Sequence, residues 1–221
     1  MPGSSTAPRL PSGTPADPVV APRPSDTLAA GTDHFKLALY HHRAGDFENA
    51  LTHYRAVLQR NELNAEAHNN LGLLFLSKGQ LDEASREFQR AIGIDPNYVK
   101  AHNNLAVAHL KAGQNERAMA EARAALVIEP RNIESLNNLA LGLNAAGRTE
   151  EARDALRQAL SLDPRSAASH YNLALVLEGA GEIAPAVEHY RTFIKYAGPE
   201  HATLVTDVRT RVDALASKLI R

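Results

Sequence analysis

The sequence predicts an all-α fold, an α-solenoid of five helix–turn–helix units closed by one further helix. Three observations carry this. First, HNNLG at His68–Gly72 returns as HNNLA at His102–Ala106, LNNLA at Leu136–Ala140 and HYNLA at His170–Ala174, each copy 34 residues after the last. Second, the fifteenth place of every unit is glycine (Gly45, Gly79, Gly113, Gly147, Gly181), the residue that ends a helix cheaply in a left-handed conformation. Third, the eighth place is small (Ala38, Gly72, Ala106, Ala140, Ala174), the twentieth is always alanine (Ala50, Ala84, Ala118, Ala152, Ala186) and the seventh is always leucine (Leu37, Leu71, Leu105, Leu139, Leu173). That spacing suits two helices in close approach with a leucine filling the space between them.

Residues 1–30 hold seven of the twelve prolines, mixed with Ser, Thr, Gly and Ala. Such a segment buries too little apolar surface to offset its ordering entropy, so a disordered Pro-rich tail or linker is expected there. The units then run 31–64, 65–98, 99–132, 133–166 and 167–200. Within each, the first helix stops at the glycine. The second stops before the thirty-second place, which is Pro96, Pro130 and Pro164 in the middle units, Glu62 in the first and Gly198 in the last; proline cannot continue a helix. Each helix is about 13 residues, or ~20 Å. One pair cannot cover its apolar face alone, so pairs must stack. The third unit is expected to be the least well packed and the first to open. It has Asn115 where Phe47, Leu81 and Ile183 stand elsewhere, and Ala122 where Tyr54, Phe88, Leu156 and Tyr190 stand. After Gly198, Pro199 and Glu200 make a favourable first turn. Leu204, Val208, Val212, Leu215 and Leu219 then fall on one stripe, predicting a helix over 201–221 that covers the open end of the stack.

The formal net charge of the 221 residues is −1, so bulk charge argues for neither nucleic acid nor an anionic membrane surface. With no cysteine, a disulfide, a thiolate nucleophile and a Cys-ligated zinc are excluded. That absence suits a reducing cytoplasm, the expected location, and suits a cysteine-free periplasmic protein equally. No apolar run reaches the ~18 residues that span a bilayer. The longest apolar run near the N-terminus, Val19-Val20-Ala21, is too short for the core of a signal peptide. Neither a Gly-rich phosphate loop nor a Ser/His/Asp arrangement is present. Of the ten histidines, His34, His68, His102 and His170 share the fourth place, and His41 and His109 the eleventh. Both are packing places, so half-buried structural imidazoles are expected, with no metal, no cofactor and no catalysis.

The recurring Leu, small residue, Gly, Ala and Pro at these places resemble the tetratricopeptide repeat from Gly31 to about Glu200. The resemblance implies a right-handed superhelix whose first helices line a concave groove, with the sixth place facing into it. That place is Asn70, Asn104, Asn138 and Asn172, and Lys36 in the first unit. The fifth place is Asn69, Asn103 and Asn137, flanked by Phe35 and Tyr171; the ninth is Leu39, Leu73, Val107, Leu141 and Leu175. Asn is a mediocre helix former, so its recurrence in mid-helix calls for a reason. An amide side chain has two donors and an acceptor, and can bond both the N–H and the C=O of one peptide unit. The row is similar to the asparagine ladder of the O-linked N-acetylglucosamine transferase repeat domain, with the Leu/Val row beside it for ligand side chains. The expected partner is therefore a protein or extended peptide segment, bound by the sixth-place residues together with Asn69, Asn103, Asn137, Tyr171, Leu73, Val107, Leu141, Lys100 and Lys111. Lys36, His42, Arg43, Lys100 and Lys111 make the N-terminal half of the groove mildly basic. The family's two-carboxylate clamp matches at Asn70 and Lys100 but not at Phe35, Leu39 or Asn104. Other uses remain open: amides that bond neighbouring helices, a recognition or assembly subunit of a larger enzyme, secretion or envelope complex, or an oligomerisation scaffold.

Overall fold

A computed structural model describes residues 33–219. These form helices α1 (His34–Arg43), α2 (Phe47–Arg60), α3 (Ala65–Ser77), α4 (Leu81–Ile94), α5 (Val99–Lys111), α6 (Asn115–Ile128), α7 (Ile133–Ala145), α8 (Thr149–Leu162), α9 (Ala167–Gly179), α10 (Ile183–Tyr196) and α11 (Ala202–Leu219). The expected tail, residues 1–30, lies outside the described residues.

Each glycine of the fifteenth place has positive φ, from 71° at Gly113 to 80° at Gly181. A Cβ there would meet nothing within 4 Å, so these glycines are required by backbone conformation and not by space. The next residue's N–H closes the turn on the eleventh-place carbonyl: Gln114 to His109 at 2.8 Å, Arg148 to Leu143 at 2.9 Å and Glu182 to Leu177 at 2.9 Å. This is the Schellman arrangement. Asp46, Asn64, Asn132 and Ser166 cap the helices that follow them through their side chains.

Each first helix packs on its own second helix, and each second helix on the next first helix. The first helices also touch one another (α3–α5, α5–α7, α7–α9), whereas among the described residues the second helices make no comparable contact in succession. The stack therefore curves with the first helices on its inner side.

Tyr54, Phe88, Leu156 and Tyr190, all at the twenty-fourth place, are fully buried. In the third unit the small Ala122 stands at that place and is itself fully buried. Met119 is fully buried against Gly142, where a Cβ would come within 2.7 Å of the Met119 Cγ. There a flexible thioether fills the space opposite a missing side chain of the next unit. The gap lies further on. A pocket of about 540 Å³ opens between α6, α7 and α8, with Leu126, Pro130, Leu136, Leu139, Leu143 and Ala155 in its wall.

At the far end α11 lies on α10, entered through a 3-10 turn at Pro199–His201. Val208, Val212 and Leu215 are buried and Leu204 packs at the edge of the same core. Leu219, expected on this stripe, is 52% exposed and covers nothing. Arg211 grips Glu178 of α9 with two bonds of 2.7 and 2.9 Å, and the Tyr190 hydroxyl donates to the same carboxylate at 2.8 Å. Burial raises the Glu178 pKa, but the Arg211 and Tyr190 hydrogen bonds outweigh it and the net shift is downward. Burial pushes the Tyr190 hydroxyl above its ordinary value.

Candidate functional site

The inner side of the stack carries α3, α5, α7 and α9, each opening within a residue of a capped or hydrogen-bonded turn. One turn into each helix stand the paired places five and six. Consecutive helical residues are about 100° apart, so the two places face different surroundings.

The fifth-place amides lie between the helices. Asn69 is 4% exposed, Asn103 1% and Asn137 6%. Asn137 donates from Nδ2 to the Ile133 carbonyl and to Ser169 Oγ, both at 2.8 Å. Asn103 accepts from Ser135 Oγ at 2.8 Å and donates to Asn132 Oδ1 at 3.4 Å. Tyr171, read with them as a binding residue, packs its ring 5.2 Å from Phe193 and 6.0 Å from Tyr190, inside an aromatic cluster.

The sixth-place amides reach back to the preceding unit. Asn104 Nδ2 donates to Asn69 Oδ1 at 2.8 Å, and Asn172 Nδ2 to Asn137 Oδ1 at 2.9 Å. Asn138 Nδ2 donates to the Asn103 carbonyl at 3.4 Å. Asn70 has Phe35 opposite it in the previous unit and no hydrogen bond to the described residues. In all four, Oδ1 has no hydrogen-bond partner among the described residues, and none of these oxygens is both buried and unsatisfied. Leu73, Val107 and Leu141 are half-buried beside the rungs, and Lys36, Lys100 and Lys111 are exposed.

Sequence reasoning missed a second periodic set. The fourth-place histidines each meet the twenty-third residue of their own unit: His68 Nδ1 to Glu87 Oε2 at 2.6 Å and His102 Nδ1 to Glu121 Oε2 at 2.7 Å. At the two ends the partner is another imidazole: His34 to His53 at 3.1 Å and His170 to His189 at 2.9 Å, Nδ1 to Nδ1. On the other side of the ring, Nε2 of His68, His102 and His170 donates to the carbonyl of Glu62, Pro96 and Pro164, at 3.0, 3.2 and 3.1 Å. These imidazoles tie the turn between units to the second helix. The fixed interval of 19 residues between partners was the signal in the sequence. The fourth unit has Leu136 and Ala155 at these places, and there the 540 Å³ pocket opens. Burial and the neighbouring His170 hold His189 below the ordinary histidine value, and burial with His34 and His41 does so for His53. Among the described residues no group of three or more His, Asp or Glu is placed to hold a metal ion, and no helix is long and apolar enough to cross a membrane.

Sequence profiles of the tetratricopeptide repeat match residues 35–99, 75–140 and 143–181, and so touch all five units. An uncharacterized protein of Haemophilus influenzae is 32% identical over 65 residues, 29% of this chain and 36% of that protein, so the chain spans about a third of that relative's length. Among solved structures, TTC0263, a tetratricopeptide-repeat protein of Thermus thermophilus, superposes with a TM-score of 0.69 at 20% identity, covering 83% of this chain and 97% of its own. Pseudomonas aeruginosa pilF gives 0.67 at 20% identity over 84% and 88%. MamA of Desulfovibrio magneticus RS-1 gives 0.64 at 20% over 74% and 92%. At such identities the likeness is one of fold. The 34-residue period, the paired helices and the three profile matches agree: the chain belongs to the tetratricopeptide-repeat proteins.

Proposed function

We propose that the protein is a non-catalytic interaction scaffold that holds an extended peptide segment along its inner face, on the four amides Asn70, Asn104, Asn138 and Asn172. The observation that carries this is the uncommitted hydrogen-bonding capacity of those amides. Each keeps Oδ1 and at least one N–H for a ligand, on the side where the first helices crowd together. A peptide unit needs one acceptor and one donor of that kind. Leu73, Val107 and Leu141 supply apolar surface for alternate side chains. Lys36, Lys100 and Lys111 bias the groove toward acidic segments. Asn69, Asn103 and Asn137 support the rungs and do not touch the ligand.

The test is binding of a degenerate library of unstructured 12-residue peptides to the full chain and to the variant with all four rungs changed to Ala. At about 0.5–1.5 kcal/mol per lost hydrogen bond, the variant should bind at least a hundredfold more weakly. The loss should be similar for unrelated sequences, because the contacts are to backbone. Circular dichroism confirms that the variant is folded. Equal binding by a folded variant would overturn the proposal.

A further inference from the structure

The three rungs Asn104, Asn138 and Asn172 all turn Nδ2 toward the preceding unit, and in each case the acceptor belongs to that unit's fifth-place residue. We infer that the fifth-place residues Asn69, Asn103 and Asn137, the last two backed by Ser135 and Ser169 of the following unit, are positioning residues that set the facing of the rungs Asn104, Asn138 and Asn172 and so give the groove a polarity. The inference rests on the ladder reading for its ligand, but the facing of the rungs can be measured without one.

An amide carries its oxygen and its nitrogen on opposite sides of the Cβ–Cγ axis. A nitrogen bonded to the preceding unit therefore leaves Oδ1 facing the following unit. An amide can flip unless its partner tells oxygen from nitrogen. A backbone carbonyl does so, because it only accepts; the Asn103 carbonyl does this for Asn138. A second amide does so only if it is itself held. Asn137 is held: its Nδ2 donates to the Ile133 carbonyl and to Ser169 Oγ. Ser169 is fully buried and pairs with Ser166, the cap of α9, at 2.9 Å. The Asn137 oxygen is thereby turned to Asn172. At the junction of the second and third units the third place is Ala101, and among the described residues Asn69 has only Asn104 for a hydrogen-bond partner. At the first junction Phe35 offers no acceptor to Asn70. The facing is thus graded, firm at the C-terminal end of the groove and free at the N-terminal end.

A direction for the ligand follows. In an extended chain the N–H and C=O of one residue point to the same side, with the N–H nearer the N-terminus. If Oδ1 takes the N–H and the remaining Nδ2 proton meets the C=O, the N–H lies toward the following unit. The ligand's N-terminus then points to the fifth unit, antiparallel to the order of the repeats.

The experiment is side-chain amide relaxation by NMR on the full chain. Asn172 should be rigid, with an order parameter of about 0.8, and Asn70 mobile, below about 0.6. Ser169→Ala, a mild change, should lower the value for Asn172 and leave that for Asn104 unchanged. Ala101→Ser should raise the value for Asn104 by supplying the missing serine. An Asn172 as mobile as Asn70, or indifferent to Ser169→Ala, would overturn the positioning role. As a second arm, an alternating Ser–Val dodecapeptide carries a nitroxide at one end or the other. The N-terminal label should broaden Asn172 and the C-terminal label Asn70; broadening by both labels alike, or the reverse pattern, would overturn the polarity. If the dodecapeptide does not bind at all, the ladder reading fails, while the relaxation data still decide the positioning role.

Discussion

The second and fourth repeats follow one plan and differ, among other places, at the fourth and the twenty-third. In the second, His68 and Glu87 meet in the interior, and Arg90 holds the other carboxylate oxygen at 2.7 Å. In the fourth, Leu136 and Ala155 stand there and leave a pocket beside Pro130. Both repeats keep the glycine turn and the alanine at the close approach of their helices. The helix pair therefore does not depend on the polar link. The link instead joins the turn between units to the second helix, and where it is missing a pocket lies in its place.

The largest expected effect comes from breaking the second repeat's link. His68→Ala leaves the buried Glu87 carboxylate with Arg90 as its remaining partner and the Glu62 carbonyl without its donor, and the loss of these two hydrogen bonds, one of them to a carboxylate, costs about 3 kcal/mol. Leu136→Ala in the fourth repeat should cost less, about 2 kcal/mol, because its site is already partly open. Urea unfolding of the two variants checks the order.

A graft sharpens the comparison. Leu136→His with Ala155→Glu would rebuild the link, with the Pro130 carbonyl waiting for Nε2 as the Pro96 carbonyl does for His102. Each single change should destabilise, and the pair should show a favourable coupling of about 1–2 kcal/mol in a double-mutant cycle. No coupling would mean that the absence of the link in the fourth repeat rests on more than these two residues.

Gly79→Ala and Gly147→Ala should each cost about 1–2 kcal/mol, and equally, since their φ values are 73° and 78° and neither site is crowded. Unequal losses would place a further difference in the turns themselves.

The smallest effect concerns acid. His42, His53, His109 and His189 are all held below 6.5, chiefly by burial. A histidine with a lowered folded pKa contributes stability that is present above 6.5 and lost as pH falls through the folded value. The melting temperature should therefore fall as pH is taken below 6.5. His189→Gln should flatten that fall, and an unchanged pH profile would remove His189 from the account.

Much of this was open to direct reading. The starts of the first helices α3, α7 and α9, the turn glycines and the helix stops depend on local chemistry: left-handed φ, missing donors and side-chain caps. Repetition made that chemistry legible, because each place was written five times over. The closing helix was readable from its stripe, except at Leu219, where the helix outruns the surface it covers. Other features needed neighbours distant in the chain. Met119 against Gly142 is a match of shapes from different units. The fifth and sixth asparagines look alike in sequence, and only the packed helices show that Asn138 and Asn172, at 5% and 8% exposed, are nearly as enclosed as the fifth-place amides while Asn70 and Asn104 are half-buried. The His–Glu and His–His links join places 19 residues apart across a turn, a distance that helical periodicity within one element does not span. Local preference specifies where each helix begins and ends; which side chains meet depends on how the helices stack, because contact is a property of pairs of elements and not of either one.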